Sequence, residues 1–127
     1  MKIEHIAIWA KNIDKMRLFY ETYFQAVSSP KYNNVTNKFE SYFLAFSDGA
    51  RLELMSRPDV ITTNSTSMDI GFTHVAFKLG SIEEVDFLTE KLRINGVSVV
   101  GEPRLTGDGY YESVILDPEG NRVELVA

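Results

Sequence analysis

Two hydrophobic periods follow one another along this chain, and the pair occurs twice. From Ile3 to Trp9 the apolar positions suit a strand, with Ile3, His5, Ala7 and Trp9 on one side and Ile6 and Ile8 on the other. Ile13, Met16, Phe19, Tyr20 and Tyr23 then recur at helical spacing. Phe72 to Leu79 predicts a second such strand, and Ile82, Val85, Leu88 and Leu92 a second helix. A shift of 69 residues lays Ile13 on Ile82, Met16 on Val85, Phe19 on Leu88 and Tyr23 on Leu92. Asn12 and Ser81 are expected N-caps, because each side chain can accept from a backbone N–H that the first turn leaves unpaired. Ser81 with Glu84 fits a capping box, and Gly96 after Asn95 suits the left-handed residue that closes a helix.

Three strands are expected after each helix. In the first copy they lie near Val27, at Glu40 to Ser47 and at Arg51 to Ser56. In the second they are Val97 to Val100, Tyr110 to Leu116 and Arg122 to Val126. Ser47-Asp48-Gly49 and Asp117-Pro118-Glu119-Gly120-Asn121 read as turns. Each copy is therefore βαβββ, and the fold class is α+β, with two modules in one domain. Residues 1–57 form the first module, 58–70 a polar linker and 71–127 the second. Pro30 to Lys38 and Glu102 to Gly109 are the expected mobile loops.

The repeat also carries chemistry. Gly49-Ala50-Arg51-Leu52-Glu53-Leu54 returns 71 residues later as Gly120-Asn121-Arg122-Val123-Glu124-Leu125. Ile3-Glu4-His5-Ile6-Ala7-Ile8 returns as Phe72-Thr73-His74-Val75-Ala76-Phe77, and His5 and His74 are the only histidines. A carboxylate between two apolar strand residues costs free energy if its face is dry and unpaired. One glutamate on a strand is ordinarily just a solvated residue, and one histidine a hydrogen-bonded one. Duplication preserves a scaffold, however, without requiring four polar residues on it to survive. His5, Glu53, His74 and Glu124 are thus the candidate ligands of one divalent metal, in a cavity enclosed by curved mixed sheets. Two imidazoles and two carboxylates suit Ni, Zn, Co, Mn or Fe(II), and leave coordination positions free for substrate.

Composition narrows the partners. The net charge of −5 opposes binding to nucleic acid or to an anionic membrane, both of which need a basic face. With no cysteine there is no thiolate site or thiol nucleophile. No cationic, apolar leader opens the chain and no apolar run reaches the ~20 residues of a membrane span, so a soluble cytoplasmic protein is expected.

Two βαβββ modules, His-φ-Ala-φ near each start and Asp117-Pro118-Glu119-Gly120-Asn121-Arg122-Val123-Glu124-Leu125 at the end resemble the vicinal oxygen chelate superfamily (glyoxalase, bleomycin resistance, dioxygenase). Within it the His5, Glu53, His74, Glu124 quartet is similar to that of glyoxalase I, which isomerises the hemithioacetal of methylglyoxal and glutathione. The resemblance implies a metal-dependent lyase or isomerase working through an enediolate. All four residues would be ligands, with Glu53 or Glu124 as the proton-transfer base, and a homodimer with shared sites is implied. Methylmalonyl-CoA epimerase usually has Gln where Glu53 stands. Extradiol dioxygenases and fosfomycin-resistance enzymes use two His and one Glu, and bleomycin-binding relatives lack the ligands. A small-molecule-binding protein without catalysis, an epimerase and a dioxygenase are the alternatives.

One departure bears on the substrate. Glyoxalase I commonly has an Arg four residues after its first His, gripping a glutathione carboxylate, and here that position is Trp9. Trp9 reads as core filler or as an apolar wall against the substrate. Its counterpart Lys78, on the side of His74 and Ala76, reads as a surface lysine or as the grip for an anionic substrate group. Tyr110, with Tyr111, reads as an edge-strand residue or as part of a lid. The expected substrate is a thiol adduct or another hydroxy-carbonyl compound. Arg51 and Arg122 share the strand faces of the glutamates, either orienting them or pairing elsewhere.

Overall fold

The computed structural model describes residues 1–61 and 71–127, and the chain divides into two compact units, Met1–Asn64 and Ser65–Ala127. In the first, β1 (His5–Trp9) leads to α1 (Ile13–Phe24), then β2 (Val27–Ser28), β3 (Tyr32–Asn34), β4 (Phe39–Ala45) and β5 (Arg51–Ser56). In the second, β6 (His74–Lys78) leads to α2 (Ile82–Ile94), β7 (Val99–Leu105), β8 (Tyr111–Leu116) and β9 (Arg122–Val126). Each unit is one mixed sheet with one helix, and the fold class is α+β.

The helices begin where the caps predict. Asn12 Oδ1 accepts the Lys15 N–H at 2.9 Å, and Ser81 Oγ accepts the Glu84 N–H at 3.2 Å. Ile13, Met16, Phe19 and Tyr20 bury one side of α1, and Val85, Thr89 and Leu92 one side of α2. α1 stops at Gln25, whose left-handed φ of 55° carries its chain end, without the glycine that would have announced it.

The sheet orders are β1-β5-β4-β2, with β3 added to β4, and β6-β9-β8-β7. The first strand of each unit runs parallel to the last, and the other pairs are antiparallel. Alternation gives each sheet two different faces. One packs its helix through Tyr42, Leu44, Leu52 and Leu54, or through Ser113, Ile115, Val123 and Leu125, all buried. Burying each such leucine contributes roughly 1.5–3 kcal/mol. The opposite face carries His5, Ala7, Trp9, Glu53 and Phe43 in the first unit, and His74, Ala76, Lys78, Glu124 and Val114 in the second.

Tertiary pairing moved several expected boundaries. β1 and β6 are shorter than predicted because their partners begin at Arg51 and Arg122. Just ahead of those residues Gly49 (φ 87°) and Gly120 (φ 86°) turn the chain in the left-handed region that glycine tolerates. Ile3 and Phe72 are left exposed outside the ladders. The expected loop Pro30 to Lys38 contains β3, a polar strand with no hydrophobic alternation to betray it, paired to β4 as Tyr32↔Ser41 and Asn34↔Phe39. The first half of the expected loop Glu102 to Gly109 belongs to β7, which starts at Val99 instead of Val97 and runs on to Leu105. As an edge strand it tolerates Pro103, whose missing N–H costs no ladder bond on an open side. Tyr110 falls outside β8, in the turn that leads into it. Of the expected linker 58–70, residues 62–70 lie outside the described residues.

Candidate metal centre

The parallel ladder brings each histidine to its glutamate. His5 is level with Arg51 and Ala7 with Glu53, so the glutamate side chain lies diagonal to the imidazole and beside a methyl group that leaves it room. His74↔Arg122 and Ala76↔Glu124 repeat the arrangement. His5 Nε2 stands 3.7 Å from Glu53 Oε2, and His74 Nε2 stands 3.2 Å from Glu124 Oε2. The burial matches as well, the two glutamate side chains being 14% and 18% exposed.

These separations decide what the pairs can hold. Two donors on one cation at about 2.0–2.2 Å each, in tetrahedral geometry, stand about 3.3–3.5 Å apart. Both pairs lie close to that spacing. In the first unit a further contact sharpens the case. Glu4 accepts from His5 Nδ1, because a carboxylate held by Arg51 is an acceptor only. With Nδ1 engaged by Glu4, Nε2 is turned toward the Glu53 carboxylate, beyond ordinary hydrogen-bond length, and in the neutral ring it presents its lone pair there. Two electron-rich groups facing one another at this distance are stabilised by positive charge placed with them. The donor set fits a divalent cation. Among the described residues, no group of three or more His, Asp or Glu is already gathered as a site.

The surroundings differ between the units. The His5 ring meets Phe43 edge-on, with centroids 5.4 Å apart, and the Arg51 guanidinium lies 4.3 Å from the centre of the same ring. Trp9 is 44% exposed. It packs edge-on against Phe39 at 6.2 Å, Phe39 in turn meets Tyr32, and Arg57 lies 5.8 Å from the Trp9 ring centre. Lys78 is exposed on the His74 side of β6. In the same sheet Glu112, level with Val126, pairs with Arg104 at 3.3 Å. Tyr110 is exposed and fixed through its backbone, its N–H donating to Thr106 Oγ1 at 3.1 Å and its carbonyl accepting the Thr106 N–H at 2.8 Å. Tyr111 points to the helix side, donating to Asp86 of α2 at 2.7 Å.

Sequence reasoning passed over Glu4 and Phe43. Glu4 is adjacent to His5, but its importance depends on the register that sets Arg51 level with that histidine. Arg51 answers its own open question by pairing with Glu4.

Similarity to other proteins follows the same architecture. The chain is 24% identical over 132 residues to the uncharacterised protein YqjT of Bacillus subtilis (strain 168), covering 98% of both. Its fold is similar to that of a glyoxalase family protein from Enterococcus faecalis, with a TM-score of 0.81 and 24% identity over 99% of this chain and 97% of that one. It is also similar to the trypanothione-dependent glyoxalase I of Leishmania major, with a TM-score of 0.77 and 22% identity over 99% of this chain and 86% of that one. Residues 2–125 match the Glyoxalase/Bleomycin resistance protein/Dioxygenase superfamily, and the chain belongs to it.

Proposed function

We propose that this protein is a metal-dependent lyase or isomerase of the glyoxalase I type, converting a 2-oxoaldehyde hemithioacetal to a 2-hydroxyacyl thioester. The observation that carries the reading is the matched pair of His–Glu contacts, 3.7 and 3.2 Å, on equivalent strands of the two units. His5, Glu53, His74 and Glu124 together would supply four donors to one divalent cation, Ni, Zn, Co, Mn or Fe(II). When bound, the cation acts as a Lewis acid that stabilises negative charge developing on adjacent substrate oxygens.

The protein's own part is proton transfer and positioning. The conversion is an isomerisation in which a proton leaves the carbon bearing sulfur and one is returned to the neighbouring carbon. A carboxylate oxygen of Glu53 or Glu124 takes and returns it. The apolar flanks, Leu52 and Leu54 or Val123 and Leu125, are buried on the opposite side and hold each glutamate in place. Trp9 supplies an apolar wall where a glutathione carboxylate would need a cation, so the thiol is one with an apolar or differently charged tail. A glyoxalase I with a thiol preference of its own is represented by the Leishmania major protein. Lys78 is the candidate grip for an anionic group and Tyr110 a candidate contact from the β7–β8 turn. A homodimer is part of this proposal, as is action on small molecules in the cytoplasm.

Elemental analysis of protein purified without added metal, followed by an assay of thioester formation with a panel of thiols, tests the reading. We expect about one divalent ion per site and activity that chelation removes and nickel or zinc restores. Ligand binding without any affinity for these metals would replace catalysis with sequestration as the function.

A further inference from the structure

Glu4 lies just before β1 and is gripped from two directions by Arg51. The Arg51 Nε–H donates to Glu4 Oε1 at 2.8 Å with Nη2 reaching the same oxygen, and the Arg51 backbone N–H donates to the Glu4 carbonyl at 3.0 Å. Arg51 is itself steadied by the Phe43 ring under its guanidinium. The other Glu4 oxygen accepts from His5 Nδ1. The His5 ring is braced edge-on by that same Phe43. Three side chains, Glu4, Arg51 and Phe43, thus close a circuit around one imidazole. In the second unit the place of Glu4 is taken by Thr73 and that of Phe43 by Val114, so no equivalent circuit can be built there.

The geometry points to Glu4 as a positioning residue that fixes His5 in its Nδ1–H tautomer and turns Nε2 toward Glu53 as a cation ligand. The proposal rests on the metal reading above, and adds to it that the two histidines are oriented by different means. A ring free to choose its tautomer spends part of its time with Nε2 protonated, where it cannot bind a cation. A carboxylate on Nδ1 removes that choice and raises the basicity of the opposite nitrogen. Glu4 is itself exposed, so its effect is felt through His5 and little in overall stability.

The test compares wild type with Glu4→Ala and Glu4→Gln. Two histidines give two imidazole spin systems, and long-range proton–nitrogen correlation spectra of metal-free protein, at about pH 8 where ordinary imidazoles are neutral, read each tautomer. In wild type His5 is expected as the Nδ1–H form. In Glu4→Ala it shifts toward Nε2–H, with His74 unchanged as the internal reference. Nickel titration calorimetry should show affinity about 10- to 100-fold weaker in Glu4→Ala. Glu4→Gln, whose amide oxygen still accepts, should fall between. An unchanged His5 tautomer together with unchanged nickel affinity in Glu4→Ala overturns the proposal. Should wild type take up no nickel, the cation reading of this site is overturned. The spectra need no metal, so they still decide whether Glu4 orients His5.

Discussion

The faces that carry the two His–Glu pairs share a scaffold and differ in almost everything around it. In the first unit His5 and Glu53 sit among Phe43, Trp9 and Phe39, with Glu4 and Arg51 holding the imidazole. In the second, His74 and Glu124 sit among Val114, Lys78 and Val126, with Glu112 and Arg104 paired on the same sheet. What stays constant is what the ladder geometry needs. A glycine turn starts the last strand, a parallel register sets His beside Glu, and an alanine level with the glutamate gives it space. What varies is the lining. A duplicated scaffold can thus keep its His–Glu pairs and still surround one with aromatic side chains and the other with aliphatic and charged ones.

The comparison is broken most severely by changing one glutamate at a time. Glu124→Gln should lower kcat/KM by about 10²- to 10⁴-fold with circular dichroism unchanged, the usual loss when a general base is removed. Glu53→Gln should also lose activity, and the larger of the two losses marks the base. Full activity in Glu124→Gln would discard the mechanism.

Next in size is the hydroxyl that ties each helix to its sheet. In the second unit Thr89 Oγ1 and Ser113 Oγ are 2.6 Å apart and buried, while in the first the Tyr42 hydroxyl donates to Asp14 at 2.7 Å nearer solvent. Thr89→Val should destabilise by about 1–3 kcal/mol, because it strips a buried serine of a partner, and Tyr42→Phe by about 0.5–1.5 kcal/mol. Urea denaturation compares them, and the reverse order would show that burial is not what separates the two tethers.

The lining gives a comparable effect on substrate choice. Lys78→Ala should raise KM for an anionic thiol adduct about tenfold with little change for a neutral one, as expected when a charge-assisted hydrogen bond is lost. Trp9→Ala should do the opposite, weakening the apolar adduct more. Equal effects on both substrates would place these side chains away from the bound molecule.

The smallest effect is on acid stability. The Asp14 carboxyl is held below its ordinary value of 3.8, first by its bond from Lys31 and then by that from Tyr42. A carboxyl lowered by folding adds stability above its unfolded pKa, and that increment fades as pH falls through the lower folded value. Asp14→Asn should therefore make the urea midpoint less sensitive to pH between neutrality and about pH 3, by a few tenths of a kcal/mol for so exposed a pair. A wild-type acid slope in the variant would remove Asp14 from the account.

The amino-acid sequence by itself determined the duplicated βαβββ plan, the helix starts at Asn12 and Ser81, the buried stripes of both helices and the alternation that separates Glu53 from Leu52 and Leu54. All of these are local, since they depend on the spacing of a few neighbouring residues. Only the tertiary structure decided what depends on a partner strand. β3 exists because Phe39 to Ser41 offers it a ladder, and Pro103 sits in a strand because β7 is an edge. Arg51 reaches Glu4 because a parallel register sets it level with His5. A hydrogen bond between residues 47 positions apart leaves no periodicity in the chain. It is written in the pairing of strands, and that pairing forms only when the whole sheet does.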